Sequence, residues 1–173
     1  MDRNTIINLF NTEELGQNWL EKTLFPEVKT MKDIVKNNEG HNILSGIIMA
    51  TWFEKDHPFR LACESAMARL GGKNIYTFGK SLEDIRLISS TCCPDIILLR
   101  TKEEETMRQA ISMSPIPVIN AGVGKSVKCP VQKVTDLYTR WNHVPSPLGF
   151  DLRRAENMVY VMMALFKIVL APK

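Results

Sequence analysis

The sequence predicts a single α/β domain: a four-stranded parallel sheet, with room for a fifth strand, and helices on both faces. Three observations carry that prediction. Short apolar runs rich in β-branched residues recur at 42–51, 74–78, 95–99 and 116–120, and none has the polar face that a helical period would give, so they read as strands buried on both sides. The stretches between them carry helix start and stop signals, and strand alternating with helix is the pattern of a parallel sheet covered on both faces. At 173 residues the chain has material for one domain with a proper core, not for two full domains.

Each element has a local reason. Asn11-Thr12-Glu13-Glu14 has the form of a capping box, with an acidic residue three positions after the cap, and starts a helix to about Lys22. Pro26 then starts a second helix to about Lys36, since proline suits a first turn. After the strand at 42–51, Pro58 opens a helix through Leu70, which Gly71-Gly72 ends. Ser81-Leu82-Glu83-Asp84 caps a helix to about Ser90. The segment 103–113 is helical with charge on its exposed side, and Pro130 leads into a helix over 131–141. Pro145, Pro147 and Gly149 mark a linker, and 152–170 is a final long helix. No internal repeat or low-complexity tract interrupts this series.

Composition narrows the function classes. A formal charge of +3 without a basic run gives no footprint for nucleic acid. The longest apolar run, 158–171, is broken by Lys167 and is shorter than the roughly 20 residues a spanning helix needs, so it reads as a buried helix rather than a membrane segment. The N-terminus is polar and lacks the apolar segment of a signal peptide. The four cysteines (Cys63, Cys92, Cys93, Cys129) have no C-x-x-C spacing, adjacent Cys92-Cys93 reads as buried thiol, and the usage suits a reducing, cytoplasmic compartment. His41 and His143 have no metal-ligand spacing and read as loop residues, so neither a metal nor a cofactor is expected.

Several motifs stand in a fixed order: Arg60-Leu61, Glu64-Ser65-Ala66-Met67 and Arg69-Leu70-Gly71-Gly72; Gly79-Lys80-Ser81-Leu82-Glu83-Asp84; Asp95-Ile96-Ile97-Leu98-Leu99-Arg100; Pro117-Val118-Ile119-Asn120-Ala121-Gly122; Cys129-Pro130-Val131-Gln132; and Asp136-Leu137-Tyr138-Thr139. Together, from about residue 42 to 139, they resemble the carbamoyl-phosphate-binding domain of the aspartate/ornithine carbamoyltransferase family, in its aspartate form. The segment Arg154-Ala155-Glu156-Asn157 through Leu165 resembles that family's last helix. In the family a whole aspartate-binding domain separates these two regions; here about a dozen residues do. The resemblance therefore implies a carbamoyl-phosphate-like domain over 1–142, a short linker over 143–151 in place of the aspartate domain, and a terminal helix over 152–173 that packs back on the first domain.

The resemblance also marks where the chemistry departs. The family enters its first long helix through a Ser-Thr-Arg-Thr-Arg turn that holds phosphate; the matching residues here are Asp56, His57, Pro58, Phe59 and Arg60. A helix N-terminus offers unpaired N–H groups and a partial positive charge. Asp56 satisfies these as an N-cap and would repel an anion, and Pro58 removes a donor. The histidine that polarises the carbonyl is replaced by Cys129, whose thiol is a weak donor, and a threonine is replaced by Val131. The loop that lends a serine and a lysine to a neighbouring subunit is shortened around Lys80. Arg100, Arg60 and Gln132 keep the family's residue types, so with Lys80 they are the candidates for residual phosphate or carbamoyl phosphate contact. Each has a plainer reading: a solvated strand-end arginine, an ion pair of Arg60 with Asp56 or Glu64, a backbone-bonded glutamine. A Cys129–His57 nucleophile lacks an orienting third group. Gly122-Val123-Gly124-Lys125-Ser126 resembles the end of a P-loop, but position 119, where that motif needs glycine, is Ile119.

These readings imply a non-catalytic relative of aspartate carbamoyltransferase, leaning away from an enzyme. It would act as an assembly, stabilising or regulatory partner, as a self-trimer or with an authentic carbamoyltransferase of pyrimidine biosynthesis. The competing expectations are a weak phosphate binder, or a transferase that works only when a separate chain supplies the aspartate site.

Overall fold

The computed structural model of the chain describes residues 15–53, 58–77, 82–123, 129–142 and 150–171. Its sheet has four parallel strands, β1 (Ile48–Phe53), β2 (Lys73–Thr77), β3 (Ile96–Thr101) and β4 (Val118–Val123), in the order β2-β1-β3-β4. Among the described residues the longer helices are α1 (Phe25–Lys36), α2 (Pro58–Arg69), α3 (Leu82–Cys92), α4 (Glu104–Met113), α5 (Pro130–Trp141) and α6 (Phe150–Leu170).

Side chains alternate across the strands, and the sheet separates two cores. Met49, Ile96, Leu98, Ile119 and Ala121 face one way and are buried with Val28 and Met31 of α1, Cys63 and Met67 of α2, Val134 and Tyr138 of α5, and Val161, Met162 and Phe166 of α6. Ala50, Trp52, Ile97, Leu99 and Val118 face the other way, onto Ile85 of α3 and Met107 and Ala110 of α4. Helices thus cover both faces, as the uninterrupted apolar strands require.

Helix α6 is integral to the larger core. Asn157 Nδ2 donates to Thr139 Oγ1 of α5 at 3.0 Å, and Lys167 Nζ donates to Glu27 Oε1 of α1 at 2.8 Å. Lys167 thus reaches across to the neighbouring helix from an otherwise apolar run. Among the described residues, no helix is long and apolar enough to cross a membrane.

The structure corrects three local expectations. The first strand begins at Ile48, not at Asn42. Residues 41–46 form turns; Gly46 has φ +87°, and the Leu44 N–H bonds the Leu70 carbonyl at 2.7 Å. Leu44 is apolar because it is buried against the end of α2, and its N–H goes to a helix carbonyl instead of a strand ladder. That approach is close: at Gly71, φ +86°, a Cβ would stand 1.8 Å from the His41 carbonyl oxygen. Secondly, the predicted break at Pro26 is absent. A helical turn at Gln17–Trp19 runs through a π-helical stretch, Leu20–Leu24, into α1, with the Phe25 N–H on the Leu20 carbonyl. The widened turn lies just before Pro26, whose missing N–H breaks an ordinary helical ladder. Thirdly, Cys92-Cys93 is not a buried pair: Cys92 is half-buried and Cys93 exposed, because Cys93 turns out of α3 in the left-handed region, φ +43°. The capping box at 11–14 lies outside the described residues.

Candidate functional site

In parallel α/β sheets, ligands gather where strands end at their carboxyl edge and the following helices begin. Arg100 is the penultimate residue of β3, Ala121-Gly122 lie just before the last residue of β4, and Cys129 precedes α5. These residues meet. Arg100 Nη1 donates to the Ala121 carbonyl at 3.0 Å. Its guanidinium lies directly over Gly122, where a Cβ would fall 2.3 Å from Nη1 and 3.5 Å from the Cys129 Cβ. Gly122 has φ +124°, so both space and backbone conformation call for glycine. The buried Asn120 side chain accepts the Gly122 N–H at 2.8 Å and fixes the strand end.

Cys129 is the N-cap of α5. Its side chain is 3% exposed. Burial pushes its thiol up to about 11, against the pull of the Gln132 and Val131 backbone N–H groups and the charges of Arg100 and Arg154. It is therefore a neutral thiol at pH 7. Val131 beside it is buried in the core. Gln132, in the first turn of α5, is 9% exposed, and its Oε1 meets no donor. One turn on, Asp136 forms an ion pair with Arg154 of α6.

Arg60 is engaged elsewhere. Its Nε lies 3.3 Å from Glu64 Oε1, and its guanidinium stands 5.6 Å from the ring centre of Tyr76, whose hydroxyl donates to Glu64 Oε2 at 3.3 Å. The Glu64 carboxylate, first among the causes, raises the Tyr76 phenol pKa. This is the plainer ion-pair reading of Arg60, built at the edge strand β2. Phe59 is 1% exposed and joins the larger core, so its side chain serves packing. Pro58 heads α2. Asp56, His57, Lys80 and the P-loop-like Lys125-Ser126 lie outside the described residues. His41 is exposed beside Asn38, and among the described residues no cluster of His, Cys, Asp or Glu is suited to a metal.

Sequence reading singled out Arg100, Cys129, Val131 and Gln132, and the structure brings them together. It assigned no role to Asn120, Gly122 or Arg154. For the first two the signal was a polar residue and a glycine at the end of a buried strand.

The thiol geometry makes a measurable forecast. Iodoacetamide should label exposed Cys93 in the native protein and leave Cys63 and Cys129 unlabelled until denaturant is added, as peptide mass spectrometry would show. The pH dependence has a definite sign. A thiol whose pKa rises from 9.0 to about 11 on folding stabilises the fold fully below pH 9, and that contribution is lost as pH climbs toward 11. Urea midpoints should fall across that window, and less so in Cys129→Ala.

Fold and site together define a parallel α/β domain with an arginine and a helix N-terminus converging at the carboxyl end of its sheet. Residues 8–142 match the family described as aspartate/ornithine carbamoyltransferase, carbamoyl-P binding domain, and the chain belongs to that family. It is 40% identical over 128 residues to aspartate carbamoyltransferase 1, chloroplastic, of Pisum sativum, covering 67% of this chain and 32% of that protein. It is 35% identical over 164 residues to the aspartate carbamoyltransferase catalytic subunit of Methanocaldococcus jannaschii, covering 88% of this chain and 52% of that one. The solved catalytic subunit of M. jannaschii aspartate transcarbamoylase superposes with a TM-score of 0.67 at 33% identity, over 76% of this chain and 45% of that one. The chain spans about half the length of these relatives or less.

Proposed function

We propose that the chain is a non-catalytic carbamoyltransferase-like subunit that works by association. It would assemble with copies of itself, as a trimer, or join an authentic carbamoyltransferase of pyrimidine biosynthesis and stabilise or regulate it. The observation that carries this reading is Cys129: where the family places a carbonyl-polarising histidine, this chain has a buried, protonated thiol. A neutral thiol donates too weakly to stabilise charge developing on a carbonyl oxygen.

Two further observations support it. Phe59 has turned a phosphate-turn position into core. Only residues 142–149 separate α5 from α6, and the apolar face of α6 is already buried on α1, α2 and α5. In this reading a domain over 1–142 is followed by a linker over 143–151 in place of the acceptor domain and by a helix over 152–173, which in the structure starts at Phe150. Transfer to aspartate would then need a separate chain to supply the acceptor site. An assay with carbamoyl phosphate and aspartate should yield no carbamoyl aspartate from this chain alone; turnover above background would sink the non-catalytic reading.

A second reading is favoured by Arg100 and Gln132: a residual site for phosphate or carbamoyl phosphate. The unpartnered, buried Gln132 Oε1 is costly to leave unsatisfied and suits a ligand bearing a donor. Arg60 and Lys80 are lesser candidates. Titration calorimetry tests it, since a Kd of 1 mM corresponds to only about 4 kcal/mol; no heat at millimolar phosphate removes it.

A further inference from the structure

We infer that Arg154, on α6, is an anion-contacting residue of the site at the head of α5, so that a bound small oxyanion bridges α5 and α6. The inference rests on the residual-anion reading and extends it to a residue outside the β3, β4 and α5 motifs. Gln132 and Asp136 are four residues apart on α5 and so share one helix face, with side chains about 5–6 Å apart at their Cβ atoms. Arg154 is in contact with Asp136. The ion pair thus brings Arg154 to the α5 face that also carries Gln132, whose Oε1 is buried and unpartnered. On the other side, Arg100 lies over Gly122 against Cys129. Both guanidinium charges are within electrostatic reach of the Cys129 thiol and favour its ionised form.

The ligand class is a small oxyanion that retains a proton, such as hydrogenphosphate or bicarbonate. The two guanidinium groups and the helix N-terminus take its charge, and its hydroxyl can donate to Gln132 Oε1. Asp136 is the competing carboxylate: it neutralises part of Arg154 and keeps that side chain in place. Sulfate, which carries no proton at neutral pH, should bind less well than phosphate.

Phosphate titrations of four full-length proteins decide the matter. Wild type should bind, Arg154→Met should weaken binding roughly tenfold or more, and Arg100→Met should weaken it as well. Asp136→Asn separates contact from scaffolding, because it breaks the same ion pair as Arg154→Met. If Arg154 contacts the anion, removing the competing carboxylate tightens phosphate binding. If Arg154 only holds α6 in place, Asp136→Asn weakens it as Arg154→Met does, and the inference is overturned. Binding lost in Arg100→Met but unmoved in Arg154→Met overturns it too and leaves the residual-anion reading standing. No binding by wild type overturns both.

Discussion

Phe166→Ala is expected to remove about 3–5 kcal/mol of stability, a large part of the 5–15 kcal/mol typical of a whole domain. Phe166 is fully buried in the core shared by α1, α2, α5 and α6, so its loss leaves a cavity that three other helices must tolerate. Urea unfolding followed by far-UV circular dichroism would show a single cooperative transition at a much lower midpoint. Leu152→Ala is the control: Leu152 is 62% exposed on the same helix, and its truncation should cost about 0.5 kcal/mol or less. If Phe166→Ala instead melted only the C-terminal helix, with the rest unfolding at the wild-type midpoint, α6 would be an appendage and not part of the domain.

Phe59→Thr should be damaging, although the resemblance to the family implies a phosphate-turn threonine at this position. The ring, in the first turn of α2, is buried in the main core. Replacing it removes apolar burial, leaves a void and places a hydroxyl where it must find a partner, a combined cost of about 3–5 kcal/mol. Phosphate affinity should not rise. A variant as stable as wild type that binds phosphate more tightly would show that the pocket survives behind Phe59, and would argue against its conversion to core.

The sheet was legible because strands buried on both faces have a composition few other elements share, and all four lie where apolar β-branched runs predicted. The same signal overreached at 42–47. Leu44 is as apolar as a strand residue because a helix end buries it, and only Gly46 hinted at a turn. At Pro26 the sequence rule for helix starts met a π turn that absorbs the proline, which local propensity does not encode. Cys92-Cys93 read as core from residue type alone, whereas the left-handed turn at Cys93 decides exposure. In the site, Arg100, Cys129, Val131 and Gln132 were found through motif order, and the Arg60–Glu64 pair through its four-residue spacing. Arg154 was not, because its place depends on how α6 packs against α5, which no local pattern in either helix specifies.

The chain's proposed role as an associating subunit is tested most directly by native mass spectrometry, alone and after mixing with an authentic aspartate carbamoyltransferase catalytic subunit. The account predicts masses at multiples of the 19.7 kDa chain, threefold for the self-assembled form, or mixed species containing both chains. A protein that stays at 19.7 kDa across micromolar concentrations, and forms no mixed species with such a subunit, would contradict it.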